Sequence, residues 1–189
     1  MKTFQKLCGR VWSFLEDKPP RQLRDLPPAA PVDLLVMDVS LSMNLTDYLP
    51  SRLEGAREAA RHFLSRRAQV CPEARVGIVT FCWKAHLVSG PVPVMQHMGN
   101  LCDQLDRLST DNATNISAGL ILARHEILRV GAAPERRILL LTDGDANTGW
   151  NPVIAACDVK VTVFNWTSLA LAVRPPKSTR RTSKAWPLS

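Results

Sequence analysis

The sequence predicts an α/β fold, a Rossmann-like, open and mostly parallel sheet flanked by helices on both faces. Three runs carry that prediction: "VDLLVMD" at 32–38, "ARVGIVTFC" at 74–82 and "RRILLLTD" at 136–143. Each is apolar almost throughout instead of alternating, the pattern of a strand covered on both faces. Stretches with apolar residues at helical spacing separate them, and two of the runs end in an aspartate, Asp38 and Asp143.

The elements follow in order. Residues 1–16 can form a short amphipathic helix through Phe4, Leu7, Val11, Phe14 and Leu15. Residues 17–31 hold five prolines in fifteen positions and read as an extended linker. After the strand at 32–38, "SRLEGAREAARHFLSRRAQV" (51–70) is a helix of good helix formers. The strand at 74–82 leads into "AHLVSGPVPV" (85–94), an edge strand because its prolines cannot donate to a ladder. Helices are predicted at 98–108 and 115–130, then the strand at 136–143 and a last strand, "DVKVTVFNW", at 158–166. The remaining residues, 167–189, contain no glycine and no acid and read as a basic, disordered tail. The expected organisation is thus an N-terminal segment and linker (1–31), one domain (32–166) and a tail (167–189), in a chain of 189 residues.

Charge and cysteine content narrow the function. The net charge is +7, but residues 1–31 contribute +3 and residues 167–189 contribute +5, while the middle carries thirteen basic and fourteen acidic side chains. Basicity confined to tails does not build a specific nucleic-acid surface. No run of 18 apolar residues exists, so no membrane span is expected. Five cysteines without a CxxC pair are expected to be reduced and mostly buried, which suits a cytoplasmic protein. The sequons at Asn44, Asn112, Asn115 and Asn165 are read as coincidental, since no secretion signal is recognised at the start.

Asp38 and Asp143 end central strands, and in an open parallel sheet the ligand crevice lies at the carboxyl ends of the strands. Ser40 and Ser42 follow Asp38, all three on one side if that loop stays extended, and Thr114 stands just before a predicted helix. Two carboxylates and three hydroxyls form an all-oxygen donor set, which suits Mg²⁺ or Mn²⁺ and leaves the ion attractive to one more carboxylate.

These residues resemble the metal-ion-dependent adhesion site of the von Willebrand factor type A family. Asp38-x-Ser40-x-Ser42 matches its Asp-x-Ser-x-Ser motif, "ATNISAGL" its threonine before a helix, and "LLTDGD" its Thr-Asp-Gly motif. The resemblance runs from about Val32 to Phe164. It implies that Ser40, Ser42 and Thr114 bind the metal through hydroxyls, and that Asp38 and Asp143 bind it directly or through water. It further implies that an Asp or Glu of a protein partner completes the shell. The expected function is metal-dependent, adhesion-type protein binding, not catalysis.

The chain departs from the family pattern in three places. Leu41 stands between the serines where the family often has glycine, and Asn112 and Ala113 precede Thr114 where it often has one. After Phe164 the Gly-rich turn, helix and last strand of the family are missing. Codons for the tail from Asn165 can be chosen so that a shifted frame encodes such a turn, so the chain is expected to be frameshifted near Phe164 and truncated. Two other functions are weighed. A truncated remnant would have lost function. An Mg²⁺-dependent phosphatase needs a second acid two residues after its aspartate, where this chain has Ser40.

Overall fold

The computed structural model describes residues 30–162 and 166–172, apart from 48, 49, 132 and 145. Strand β1 (Val32–Asp38) is followed by a 3-10 turn at Leu41–Asn44 and helix α1 (Arg52–Val70). Strands β2 (Arg75–Phe81) and β3 (Ala85–Pro93) precede helices α2 (Val94–Asp106) and α3 (Ile116–Arg129). Strand β4 (Arg136–Leu141), helix α4 (Pro152–Thr162) and strand β5 (Trp166–Ala172) complete the order.

The five strands lie in the order β3-β2-β1-β4-β5. β1 pairs in parallel with both β2 and β4, β5 pairs in parallel with β4, and the edge strand β3 runs antiparallel to β2. All seven residues of β1 are buried, as its nearly continuous apolar run predicts. From β1 the chain first moves outward to β2 and β3, then crosses to β4 on the other side. The switch point therefore falls between β1 and β4, and the crevice it opens lies beyond Asp38 and Asp143.

One face of the sheet packs on α1 and α2 through Leu35, Met37, Val76 and Ile78 against Leu64, Leu101 and Leu105. The other packs on α3 and α4 through Leu34, Val36, Val79 and Phe81 against Leu120, Ala123, Ile127 and Val159. Helix α3 sits close because it carries Gly119: a Cβ there would come within 2.8 Å of the Phe81 ring and 3.0 Å of Val36. α1 starts on Ser51, whose hydroxyl accepts from the Glu54 amide at 3.1 Å.

The structure corrects the end of the domain. Residues 158–162 belong to helix α4, not to the predicted strand, and residues 167–172 belong to β5, not to a disordered tail. The Val-rich stretch "VKVTV" argues for a strand by propensity, but propensity yields to context. The helix has a start signal: Asn151 accepts from the Val153 amide at 2.9 Å, and Pro152 fills the first helical position. The rest of the tail and the predicted helix at 1–16 lie outside the described residues. So does most of the linker. The described cysteines, at 71, 82, 102 and 157, are unpaired, but of these only Cys82 is buried. Among the described residues no helix is long and apolar enough to cross a membrane.

Candidate metal centre

Three loops meet at the crevice: the one after β1, the one before α3 and the one after β4. Asp111 joins the first two, its amide donating to the Val39 carbonyl at 2.7 Å and its backbone bridging to Ser40. Asn147 joins the last two. Its side-chain oxygen accepts from the Thr114 amide at 2.8 Å, and its own amide donates to the Thr114 carbonyl at 3.1 Å.

Asp38 is fully buried. Its Oδ1 accepts from the Ser40 amide at 2.8 Å and its Oδ2 from the Thr142 hydroxyl at 2.6 Å. Burial pushes its carboxyl above the ordinary carboxylate range; the Ser40 and Thr142 bonds oppose the shift and the neighbouring Asp143 charge adds to it. The Ser40 and Ser42 hydroxyls lie 3.1 Å apart. Thr114 is buried, and so is Asp143. Asp143 Oδ2 accepts from Arg52 Nη1 at 2.6 Å, whereas its Oδ1 is buried without a hydrogen-bond partner.

Asp38 thus ends β1, and Ser40, Ser42, Thr114 and Asp143 lie on three loops that hydrogen bonds join at the carboxyl ends of the strands. Among the described residues no three His, Cys, Asp or Glu side chains cluster. The donor set fits a hard divalent cation: every candidate atom is oxygen, and one buried carboxylate oxygen lacks the partner that such groups almost always have.

The sequence departures now have positions. Leu41 is 54% exposed and does not crowd the crevice. Thr114 is not the cap of α3. Asn115 is, its side-chain oxygen accepting from the Ala118 amide at 3.1 Å, and Asn112 plays no part in the cap. Ala113 has φ of 58°, the left-handed region that glycine favours. The bonds at Asp111 and Thr114 pin the loop on both sides and force that turn. An L-residue there costs about 1–2 kcal/mol, partly offset by the entropy glycine loses on folding. Ala113→Gly is therefore expected to raise stability by about 0.5–1 kcal/mol, read from the urea midpoint at constant slope. A lowered midpoint would show that Ala113 is not strained.

Sequence reasoning missed Arg52, Thr142 and Asn147. Arg52 pairs with Asp143 across 91 residues of sequence, and no local pattern announces it; Thr142 stands in the Thr-Asp-Gly motif, but its bond to Asp38 spans 104 residues and is not written there.

An open, mostly parallel sheet with helices on both faces defines the class, a Rossmann-like α/β domain. The von Willebrand factor type A domain profile matches residues 34–146, and the chain belongs to that family. It is 36% identical over 126 residues to a UPF0353 protein of Mycolicibacterium paratuberculosis, covering 64% of this chain and 36% of that protein. The chain thus spans about a third of that relative's length. Its structure is similar to that of BatB, a conserved hypothetical protein from Bacteroides thetaiotaomicron, with a TM-score of 0.62 and 20% identity, over 76% of this chain and 65% of that one. The vWF domain of the type V pili tip protein Mfa5 from Porphyromonas gingivalis aligns with a TM-score of 0.52 and 25% identity, over 64% of this chain and 40% of that one.

Proposed function

We propose that this chain is a divalent-metal-dependent protein-binding module. Asp38, Ser40, Ser42, Thr114 and Asp143 would hold Mg²⁺ or Mn²⁺, some of them through water. An Asp or Glu carboxylate of a partner protein would complete the shell. The observation that carries this reading is the unpartnered, buried Oδ1 of Asp143 beside the fully buried Asp38. Two carboxylates offset the ion's charge and the hydroxyls add none, so the ion would retain affinity for an incoming anion. Membership of the family and likeness to a domain of a pilus tip protein support a role in protein interaction. The donor set supports binding more than catalysis, because both Asp38 oxygens are already hydrogen-bonded.

Thermal melts in EDTA and in millimolar Mg²⁺ or Mn²⁺ test the metal. Metal at a hundredfold excess over its Kd stabilises by about 2.7 kcal/mol. For a chain of this size that is a rise of roughly 5–10 °C in Tm. Asp38→Ala is expected to show no rise. Equal transitions of the unaltered chain in both buffers would end the metal reading.

A further inference from the structure

The two oxygens of Asp143 stand in different circumstances. Oδ2 is held by Arg52 Nη1 at 2.6 Å, and Oδ1 is buried with no partner. Arg52 is itself fixed. Its Nε donates to Asp47 Oδ1 at 2.7 Å and its Nη2 to Asp47 Oδ2 at 2.5 Å, so that one planar guanidinium spans two carboxylates. Its backbone amide donates to the Leu45 carbonyl at 3.0 Å, and its side chain is only 11% exposed. Three separate segments are tied by this one side chain: the loop after β1, the first turn of α1 and the loop after β4.

We propose that Arg52 is the positioning residue of the metal centre: it takes Oδ2 of Asp143 and leaves Oδ1 for the ion. The proposal rests on the metal-binding reading above. A carboxylate rotates freely about its terminal torsion, where wells are broad, so an unheld Asp143 would present either oxygen in many orientations. The rigid fork of a guanidinium removes that freedom in a way that a flexible ammonium cannot. An arginine that merely replaced the ion would be expected to pair with both carboxylates of the crevice. Arg52 pairs instead with Asp143 and Asp47, and among the described residues no ion pair joins it to Asp38. It therefore approaches Asp143 without bridging the two strand-end carboxylates, and nothing requires it to leave when an ion binds. Groups that orient a metal ligand in this manner are worth about 10–100-fold in affinity.

The test is Mn²⁺ affinity, followed by electron paramagnetic resonance of the free ion, on the full chain well below its melting temperature. Arg52→Met is expected to bind Mn²⁺ about 10–100-fold more weakly than the unaltered chain. Arg52→Lys keeps one donor for Oδ2 and should bind at least about fivefold more tightly than Arg52→Met. Leu105→Ala opens a cavity in α2 and loosens the fold generally, yet should change the affinity by less than about twofold. If Arg52→Met does not fold, Asp47→Ala removes the carboxylate that orients the guanidinium and should weaken binding by about threefold or more.

Unchanged affinity in Arg52→Met and Asp47→Ala overturns the positioning role, and so does an Arg52→Lys no better than Arg52→Met. Tighter binding in Arg52→Met overturns it too, by showing that Arg52 competes with the ion. An equal loss in Leu105→Ala would trace the effect to general loosening and overturn it as well. Absence of Mn²⁺ binding by the unaltered chain is a different failure: it removes the metal reading and this proposal with it.

Discussion

Asp33→Ala is expected to cost about 3–5 kcal/mol of folding stability, the loss seen when one partner of a buried ion cluster is removed. Asp33 is fully buried at the start of β1. Its Oδ1 accepts from Arg137 Nε at 2.6 Å, and its Oδ2 accepts from Arg67 Nε at 2.6 Å and Arg137 Nη2 at 3.2 Å. Arg67 comes from the last turn of α1, and Arg137 lies directly beside Asp33 on β4. The cluster therefore fastens helix to sheet at the end remote from the crevice. Without the carboxylate, two largely buried guanidinium groups face each other. Arg67 Nη2 already lacks a hydrogen-bond partner, and its nearest remaining anion is Glu135 at 3.8 Å. A domain stable by about 5–15 kcal/mol could lose a large share of that. Urea titration measures the loss, and replacing all three residues together, Asp33→Leu with Arg67→Met and Arg137→Met, should recover most of it. A loss below about 1 kcal/mol for Asp33→Ala would mean that water takes over the carboxylate's role.

Asp38→Asn is expected to act with opposite sign in the two buffers. In EDTA it should stabilise the chain. The sign follows from burial, which raises the folded-state pKa of Asp38 above its unfolded value. Between those two values the folded state binds more protons, so stability falls as pH rises through that window, and the loss is complete above the folded pKa. Asparagine keeps an acceptor and carries no charge, so it removes that slope. A gain of about 1–2 kcal/mol at neutral pH is expected, the scale of a buried polar group released from an unfavourable state. In Mg²⁺ the order reverses: the unaltered chain should gain about 2.7 kcal/mol at a hundredfold excess over Kd, and Asp38→Asn little or nothing. Urea midpoints against pH in both buffers give the answer. An Asp38→Asn chain less stable than the unaltered one in EDTA at every pH would refute the burial argument.

The central strands were legible because they are buried on both faces. "VDLLVMD" gave β1 its full extent, and the edge position of β3 followed from its prolines. The end of the domain was not legible. Valines in α4 carry a strand signal, and the cap at Asn151-Pro152 is a two-residue cue beside a long apolar run. For the candidate centre, the five residues stand out as candidates because each lies in a short motif at a strand end, in the loop after it or at a helix start. Their partners could not be. Arg52 is one of several arginines on α1, and only folding brings it to Asp143. Asp33 did leave a trace, a charge inside an otherwise apolar strand, and such a residue is rarely buried without a partner.

Both aspartates of β1 are buried, but in unlike company. Asp33 is neutralised by arginines that belong to the chain, and among the described residues Asp38 is hydrogen-bonded only by neutral groups, Ser40 and Thr142. The strand that carries them pairs on both sides, so its amides open only when the whole sheet does. The candidate site thus combines an anchor on a strand paired on both sides with hydroxyls on loops held by a few bonds each. An ion arriving there would have loops to order and no strand to rearrange, so the conformational entropy lost on binding would be confined to about three short stretches of chain.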